Sequence, residues 1–567
     1  MIAPPALAQT VPQQSVPGAL PTREQLTPLP PEAPPAARVD VDSRGALERQ
    51  NCPFEGSALR VDLSRVTFTR PDGSPLAPAI AATLAGVVAP GQDAPISAVC
   101  DIRDAANAAL RRDGWIASVQ VPPQEIDAGA LRLDVITARI VETRVRGAPG
   151  AYEAALRTRI AELEALDPLN ERDAERLLLL AGDLPGLDVQ LSLRPAGTAP
   201  GEVIGDLAIS YRPWAVLGNF QNYNSPLLGR ETGYLRGEVY GLTGMGDTTY
   251  VGVSTTRDFE EQRIVQAGHI MTLDTAGTTF GLRATKAWSR PDIGALDLRS
   301  DTLVAGFDVR RPLVRSLMSN LALDAGFDYV NQDSRVTAGG NSAPLSRDRL
   351  RILYLGIDGE ARATGRGGLT NWSARGALSI RKGLDLFGAS EGGVIPIGGA
   401  LPSRIDGNAR AFVVRGDLDT VVRLTPILSF AARIQGQWTN DPLLNYEEYS
   451  IGNLTVGRGY DPGSNTGDRA IAFRSEVRAD VWRRDDFDLQ LFGFIDTVKL
   501  TNLDPNATET DRTLRSYGGG IRASLTNNAL LEVTYAHPRD PALLIDQRPP
   551  PDRVLVSLTF QFRPRPR

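Results

Sequence analysis

The sequence predicts a two-part molecule: a soluble α+β region in front of an all-β unit of the transmembrane barrel class. Three observations carry that expectation. Helical periodicity ends before Pro213. About 350 residues after it alternate apolar and polar positions with period two, broken by Gly, Asn, Asp and Pro turns. Residues 554–562 then close the pattern with Val554, Val556, Leu558, Phe560 and Phe562 on one face, followed by the short Arg-Pro tail 563–567.

Composition narrows the alternatives. A chain of 567 residues is too long for one ordinary domain. Hydrophobic residues make up 42%, and no run approaches the roughly 20 apolar residues of a helical membrane span. The best candidate, 76–88, is shorter, rich in Ala and interrupted by Pro78. Alternating strands dilute hydropathy in every window, so a barrel stays open. A net charge of −6 argues against nucleic acid as a partner. Positive charge is almost all Arg, with Lys only at 286, 382 and 499.

Catalytic chemistry has little to work with. The histidines are His269 and His537, both in strand-like contexts, and no H-E-x-x-H, Cys-x-x-Cys, G-x-S-x-G or Walker sequence occurs. Asp485-Asp486 sits in a turn-like charged run, and Arg415-Gly416-Asp417 reads as a chance adhesion tripeptide. We therefore expect no enzyme, no catalytic residue, no metal and no cofactor.

Residues 1–8 read as a signal-peptide remnant, because Ala6-x-Ala8 fits a signal-peptidase site before Gln9. The basic and apolar regions that should precede that site are missing, which points to a longer precursor; a disordered Pro/Ala-rich start is the alternative. Residues 9–51 are crowded with Pro, Gln and Ala and read as a Pro-rich periplasmic tether. Cys52 and Cys100 lie in one early segment, and in an exported protein such a pair is expected as a disulfide. Two buried free thiols are the other reading.

From Cys52 the texture is compact. Leu59, Val61 and Leu63, then Val66 and Phe68, alternate as strands do. Residues 76–88 have helical spacing. Residues 96–112 place Val99, Ile102, Ala106 and Leu110 on one helical face and end at Gly114, a suitable C′ residue. Residues 116–121 and 131–140 read as strands around an Asp127-Ala128-Gly129 turn. The order then repeats: a strand at 141–145, a helix at 152–166, a second helix capped by Asn170, and strands at 187–193 and 203–209. Two units of about 75 residues in tandem are a repeat signal. In the all-β part, Gly519, Ile521, Ala523 and Leu525 share a face. Ile471, Phe473, Val477, Ala479 and Val481 oppose Arg474, Glu476, Arg478 and Asp480. At about 22 residues per strand and connection, an even number between roughly 14 and 18 closes the barrel.

Particular residues carry a family resemblance. Gly114-Trp115-Ile116-x-Ser118, Pro123-Gln124 and 129–135 resemble the end of a first POTRA domain. Glu175-Arg176-Leu177-Leu178-Leu179-Leu180 with Asp183-Leu184-Pro185-Gly186 resembles a segment of the second. Val456-Gly457-Arg458-Gly459-Tyr460 resembles a V-R-G-Y loop motif with its Val shifted by one. Phe494-Ile495-Asp496 resembles an F-x-D strand motif, with Val498 where a Gly usually follows. Together these resemble the transporter of two-partner secretion, the haemolysin and filamentous-haemagglutinin exporter branch of the Omp85 superfamily (ShlB/FhaC/HecB-like).

The resemblance implies two periplasmic POTRA domains, at 52–139 and 140–212. It implies a 16-stranded antiparallel barrel at 213–567, with a loop around 451–470 folded into the lumen. Arg458, at the loop tip with Gly459 and Tyr460, is implied to pair with Asp496 on the inner wall. Asp496 shares a strand face with Phe494, so both would point inward. The implied function is an outer-membrane pore of a Gram-negative bacterium, which recognises an unfolded exoprotein through its POTRA domains and translocates it. The partners implied are an exoprotein with an N-terminal secretion domain (an adhesin, a haemolysin or a contact-dependent toxin) and outer-membrane lipid, with the pore a monomer. An Omp85-type factor for outer-membrane protein assembly or insertion is the alternative.

Overall fold

The computed structural model describes residues 18–26, 41–42, 47, 51–52, 54–294, 296–338, 341–364, 370–391, 400–484, 486–505, 509–525 and 528–564. The expected signal-peptide remnant 1–8, most of the tether 9–51, Asp485 and the tail end 565–567 lie outside them.

The first α/β module starts with strands Arg60–Leu63 and Arg65–Thr69. Helices Pro78–Leu84 and Ala98–Arg112 follow, then strands Ala117–Gln120 and Ala130–Thr137. The last strand is central, parallel to Arg65–Thr69 and antiparallel to Ala117–Gln120. Val99, Ile102, Ala106 and Leu110, spaced along one helical face, pack on Leu131, Leu133 and Val135, the alternate residues of that strand. The helix stops at Gly114, whose φ of 85° suits a residue without Cβ. A short strand, Gly91–Pro95, pairs with Arg60–Leu63; it has no apolar alternation and gives no signal in the sequence. Cys52 and Cys100 are disulfide-bonded, their Cα atoms 5.8 Å apart, so the module's start is clipped to its longer helix.

The second module repeats the order with strand Arg139–Arg146, helices Glu153–Glu164 and Glu171–Gly182, and strands Leu187–Pro195 and Glu202–Tyr211. The Asn170 side chain accepts from the Arg172 amide at 2.9 Å, capping the second helix. Leu156, Leu163, Leu178 and Leu179 pack on Val189, Leu191, Val203 and Leu207 of the sheet.

The barrel strands, in chain order, are β1 Trp214–Gln221, β2 Thr232–Tyr240, β3 Thr248–Thr256, β4 Gln262–Thr272, β5 Thr279–Ser289, β6 Leu296–Arg315, β7 Ser319–Ala338 and β8 Asn341–Thr364. They continue with β9 Thr370–Gly383, β10 Phe412–Arg423, β11 Leu428–Thr439, β12 Arg469–Arg483, β13 Phe487–Thr501, β14 Asp511–Leu525, β15 Ala529–Pro538 and β16 Arg553–Phe562. Each pairs antiparallel with the next, and β1 closes on β16 from Val216↔Phe562 to Gln221↔Ser557. Closure leaves no edge to desolvate, which is what lets strands cross hydrocarbon. Alternation divides the faces: Leu353, Leu355 and Ile357 of β8 are exposed on the outer wall, whereas Leu350, Ile352 and Asp358 point inward.

The second module docks on the turns at one mouth. The Tyr211 hydroxyl donates to the Tyr240 carbonyl at 2.7 Å, and Arg315 pairs with Asp183 at 2.6 Å. Glu175 accepts from the Leu317 amide at 2.6 Å, and Tyr152 donates to the carbonyls of Pro185 and Asp247. Burial holds the Tyr152 phenol well above its ordinary range, so it stays a donor.

Two pieces of the expected tether depart from that description. Residues 18–26, with a short helix at Arg23–Leu26, lie inside the barrel, where Ala19 and Leu26 are fully buried. Gln25 donates to Asn224 at 2.9 Å, and Gln266 donates to the Leu26 carbonyl at 3.3 Å. Val41–Asp42 adds a parallel strand beside Leu191–Ser192 of the second module. The partners lie some 150 to 240 residues downstream. Local periodicity therefore had nothing to report.

Candidate functional site: a loop held inside the barrel

Residues 440–468, between β11 and β12, do not project from the far mouth but turn back into the lumen. A two-residue hairpin, Tyr449–Ser450 against Thr466–Gly467, forms the neck. Ile451, Val456 and Tyr460, with no exposed surface, pack on Ala472 and Val498 of the inner wall. Apolar contact holds the body of the loop, and charge holds its tip.

The tip is Gly457-Arg458-Gly459. Arg458 donates from Nη2 to Asp496 Oδ1 at 3.0 Å and from Nε to Oδ2 at 3.2 Å. That is the two-pronged match of guanidinium to carboxylate. The amides of Gly457 and Arg458 add bonds to the same Oδ2 at 3.2 and 2.9 Å. The remaining prong, Nη1, reaches Glu476 Oε1 at 2.6 Å. Below the guanidinium lies the Phe494 ring, 3.5 Å from its carbon to the centroid. Asp496 has no exposed surface and Phe494 very little, while Ile495 between them is 58% exposed on the outer wall. The inward Phe494 thus makes the platform on which the arginine rests.

Two glycines set the approach. Gly457 has φ 114°, outside the range of ordinary side chains. A methyl at Gly459 would lie 2.7 Å from Ser516 Cβ and 3.0 Å from the Pro538 backbone. Tyr460 follows, its hydroxyl hydrogen-bonded to the carbonyls of Arg515 and Asp540 at 2.9 and 3.0 Å. Its own carbonyl accepts from Arg553.

The structure thus brings Arg458, Gly459, Tyr460, Phe494 and Asp496 together. Cys52 and Cys100 lie in the first module, apart from this site. Sequence reasoning missed the surrounding partners. Arg474 stands opposite Asp496 on β12 at 3.4 Å, and Glu476 opposite Phe494. Glu476 also pairs with Arg522 at 3.0 Å and Arg478 at 2.7 Å. Alternation had put 474, 476 and 478 on the polar face, which was the available signal. A second cluster ties the neck: Arg404 pairs with Glu448 at 2.8 Å, Asp468 at 2.5 Å and Asp504. Arg381 and Arg415 both pair with Glu447, at 3.1 and 2.9 Å. These pairs span 32 to 100 residues of sequence and carry no local pattern. The N-terminal segment abuts the loop from the other side: a methyl at Gly463 would lie 3.4 Å from Gly18 Cα and from Thr22 Cγ2.

A closed 16-stranded barrel, two α/β modules at one mouth and an ion-paired loop drawn in from the other define an Omp85-class protein of a Gram-negative outer membrane. The sequence profile of the haemolysin secretion/activation proteins ShlB/FhaC/HecB matches residues 209–523, more than half of the chain. The chain belongs to that family, the transporters of two-partner secretion. Among solved structures it is similar to CdiB from Escherichia coli, at 17% identity and TM-score 0.71, covering 91% of this chain and 94% of that one. It is also similar to CdiB from Acinetobacter baumannii, at 14% identity and TM-score 0.62, covering 94% and 95%. At these identities the likeness is one of fold. A search of curated proteins gives no match. The POTRA modules therefore face the periplasm, and the loop enters from the outside. The partner is a secreted exoprotein.

Proposed function

We propose that the POTRA modules bind an exoprotein through its N-terminal secretion domain while that domain is unfolded, and that the barrel passes it outward once the lumen is cleared. The carrying observation is the occupied lumen: loop 440–468 and segment 18–26 lie in it, seated through small apolar clusters around Ile451, Val456 and Tyr460 and around Leu26, and fixed by directed polar contacts. Such contacts are modest in net worth, about 0.5–1.5 kcal/mol each and about 1.5–3 when charged. An entering chain can exchange them for its own. Arg458, Asp496 and Glu476 in this reading set the loop's resting position, with Gly459, Tyr460 and Phe494 shaping its seat. The exoprotein is an adhesin, a haemolysin or a contact-dependent toxin. The periplasm offers no nucleotide, so folding of the emerged chain outside supplies the direction.

The test is export. Arg458→Ala is expected to leave barrel abundance and heat-modifiability unchanged and to reduce exoprotein in the medium sharply. Near-normal export by a well-inserted Arg458→Ala barrel would refute the reading.

A further inference from the structure

The outer wall of β8 carries a feature that transport through the lumen does not use. Along one face the strand reads Arg347, Arg349, Arg351, Leu353, Leu355, Ile357. Leu353, Leu355 and Ile357 are exposed on the lipid side, and alternation places the three arginines on that side too, because Asp348, Leu350 and Ile352 between them are buried inward. Charge on a lipid-facing strand is costly at the midplane and nearly free at the interface. The change from Leu353 to Arg351 therefore marks the outer boundary of the hydrocarbon.

The stripe is richer in positive charge than its partners can neutralise. Across the ladder the arginines face Asp333, Asn331 and Tyr329 of β7. Asp333 serves both Arg347, at 2.9 Å, and Arg349, at 2.8 Å. Arg351 stacks on Tyr329, 3.6 Å to the ring centroid, and donates to the carbonyls of Val330, Leu350 and Phe387 and to Asn331. Among the described residues no carboxylate bonds to it. Lys382 of β9 stands cross-strand from Leu353, exposed, with one bond to the Arg410 carbonyl at 2.6 Å. Among the described residues these three arginines and the lysine share one bonded carboxylate, Asp333, while Asp385 of the neighbouring segment is taken up by Arg410 at 2.6 Å.

Segment 384–390 runs beside the stripe. The Leu384 amide donates to the Arg351 carbonyl at 2.7 Å, and the Ser390 amide to the Arg349 carbonyl at 2.9 Å. The segment covers Arg351 and turns Leu386 and Phe387 outward, Phe387 being 74% exposed. Apolar side chains beside a cationic row at a membrane boundary match an amphiphile with an anionic head. In the outer leaflet of this membrane that amphiphile is a phosphorylated glycolipid.

We propose that Arg347, Arg349 and Lys382 bind the phosphate of an outer-leaflet glycolipid headgroup, with Leu386 and Phe387 against its acyl chains. Guanidinium forks suit phosphate oxygens in pairs, and the ammonium adds a point charge. Arg351 acts as a positioning residue, holding segment 384–390 in place.

The full chain, refolded or purified in a non-ionic detergent, tests this by native mass spectrometry with added lipid. Diphosphorylated lipid A should bind roughly tenfold or more tighter than its dephosphorylated form, as the attraction of clustered basic residues for anionic headgroups implies. Arg347→Gln/Lys382→Gln, which alters two exposed side chains, should remove most of that difference while heat-modifiability stays intact. Arg347→Gln/Arg349→Gln is the second variant, with the same expectation. Inorganic phosphate at concentrations matching the lipid should not displace it. Equal binding of the two lipids, undiminished preference in both variants, or displacement by that phosphate would overturn the proposal.

Discussion

Arg458 and Asp496 touch each other, yet their removal should cost the loop different amounts. Without the Arg458 side chain, Glu476 still has Arg522 and Arg478, and Asp496 still has Arg474. No carboxylate is stranded. Without Asp496 the amides of Gly457 and Arg458 lose their acceptor as well. A buried ion left without its partner costs about 3–5 kcal/mol, and the surviving Glu476 contact should reduce that here. We therefore expect Asp496→Ala to loosen the loop at least as much as Arg458→Ala. The double variant should be little worse than Asp496→Ala alone, since both remove one shared contact. Arg458→Lys should rescue export poorly, because an ammonium cannot span Asp496 and Glu476 as the fork does. Export and protease sensitivity of loop 440–468, measured across the four variants, check all of this; additive losses would break the shared-contact account. Gly459→Ala offers an independent probe. Its methyl would meet Ser516 and the Pro538 backbone, so the tip must back away from the wall. Loss of export comparable to Arg458→Ala is expected, and wild-type export would show that the tip has room to spare.

At the scale of single elements, the disulfide is the most separable piece. Cys52 and Cys100 are 48 residues apart, and closing a loop of that size in the unfolded chain is worth about 4 kcal/mol in the chain-entropy account. Cys52→Ser/Cys100→Ser should lower the melting point of the first POTRA module while the barrel's heat-modifiability is unchanged. Alkylation of denatured, unreduced protein should label no thiol, and two labelled cysteines would contradict the bond. Elements of this kind were legible in the sequence for a physical reason. Val99, Ile102, Ala106 and Leu110 must recur at helical spacing because one helix face alone meets Leu131, Leu133 and Val135. Strand β12 reads clearly because Ile471, Phe473 and Val477 meet lipid while Arg474 and Glu476 meet the lumen. What stayed hidden was set by distant partners. Gly91–Pro95 is a strand only because Arg60–Leu63 is beside it. The alternation of β6, β7 and β8 likewise gives no hint of where strands of 20 to 24 residues stop. The tip residues of the loop were recognised through family likeness, whereas Arg404, Arg381 and Arg553 carry no motif. Each of those three matters only because the closed barrel brings a carboxylate or carbonyl to it.

The whole molecule poses a problem of sequence and order: its lumen holds two pieces more than 400 residues apart in the chain, segment 18–26 and loop 440–468. Segment 18–26 is bonded to the wall at Asn224 and Gln266 and lies against the loop at Gly463. If export clears the lumen, this segment must leave its place, and fixing it there should close the pore. The wall offers a suitable position. A Cβ built on Gly18 lies 3.4 Å from Ser225 Cβ, close to the separation of a disulfide's Cβ atoms, roughly 3.5–4.5 Å. Ser225 already accepts from the Leu228 amide at 3.3 Å and donates to the Gly18 carbonyl at 2.8 Å, so the two backbones are held in register. The φ of 74° at Gly18 adds strain of about 1–3 kcal/mol for any other residue, which lies within what a disulfide restores. Gly18→Cys/Ser225→Cys should therefore form a second disulfide in the folded barrel. Oxidised, it should export little; after mild reduction that spares Cys52–Cys100, export should recover toward the level of the two single variants. The single variants separate strain from locking, because each carries the substitution without the bond. Full export by the oxidised, demonstrably cross-linked protein would mean that the exoprotein passes with segment 18–26 still seated, and that the loop alone gates the lumen.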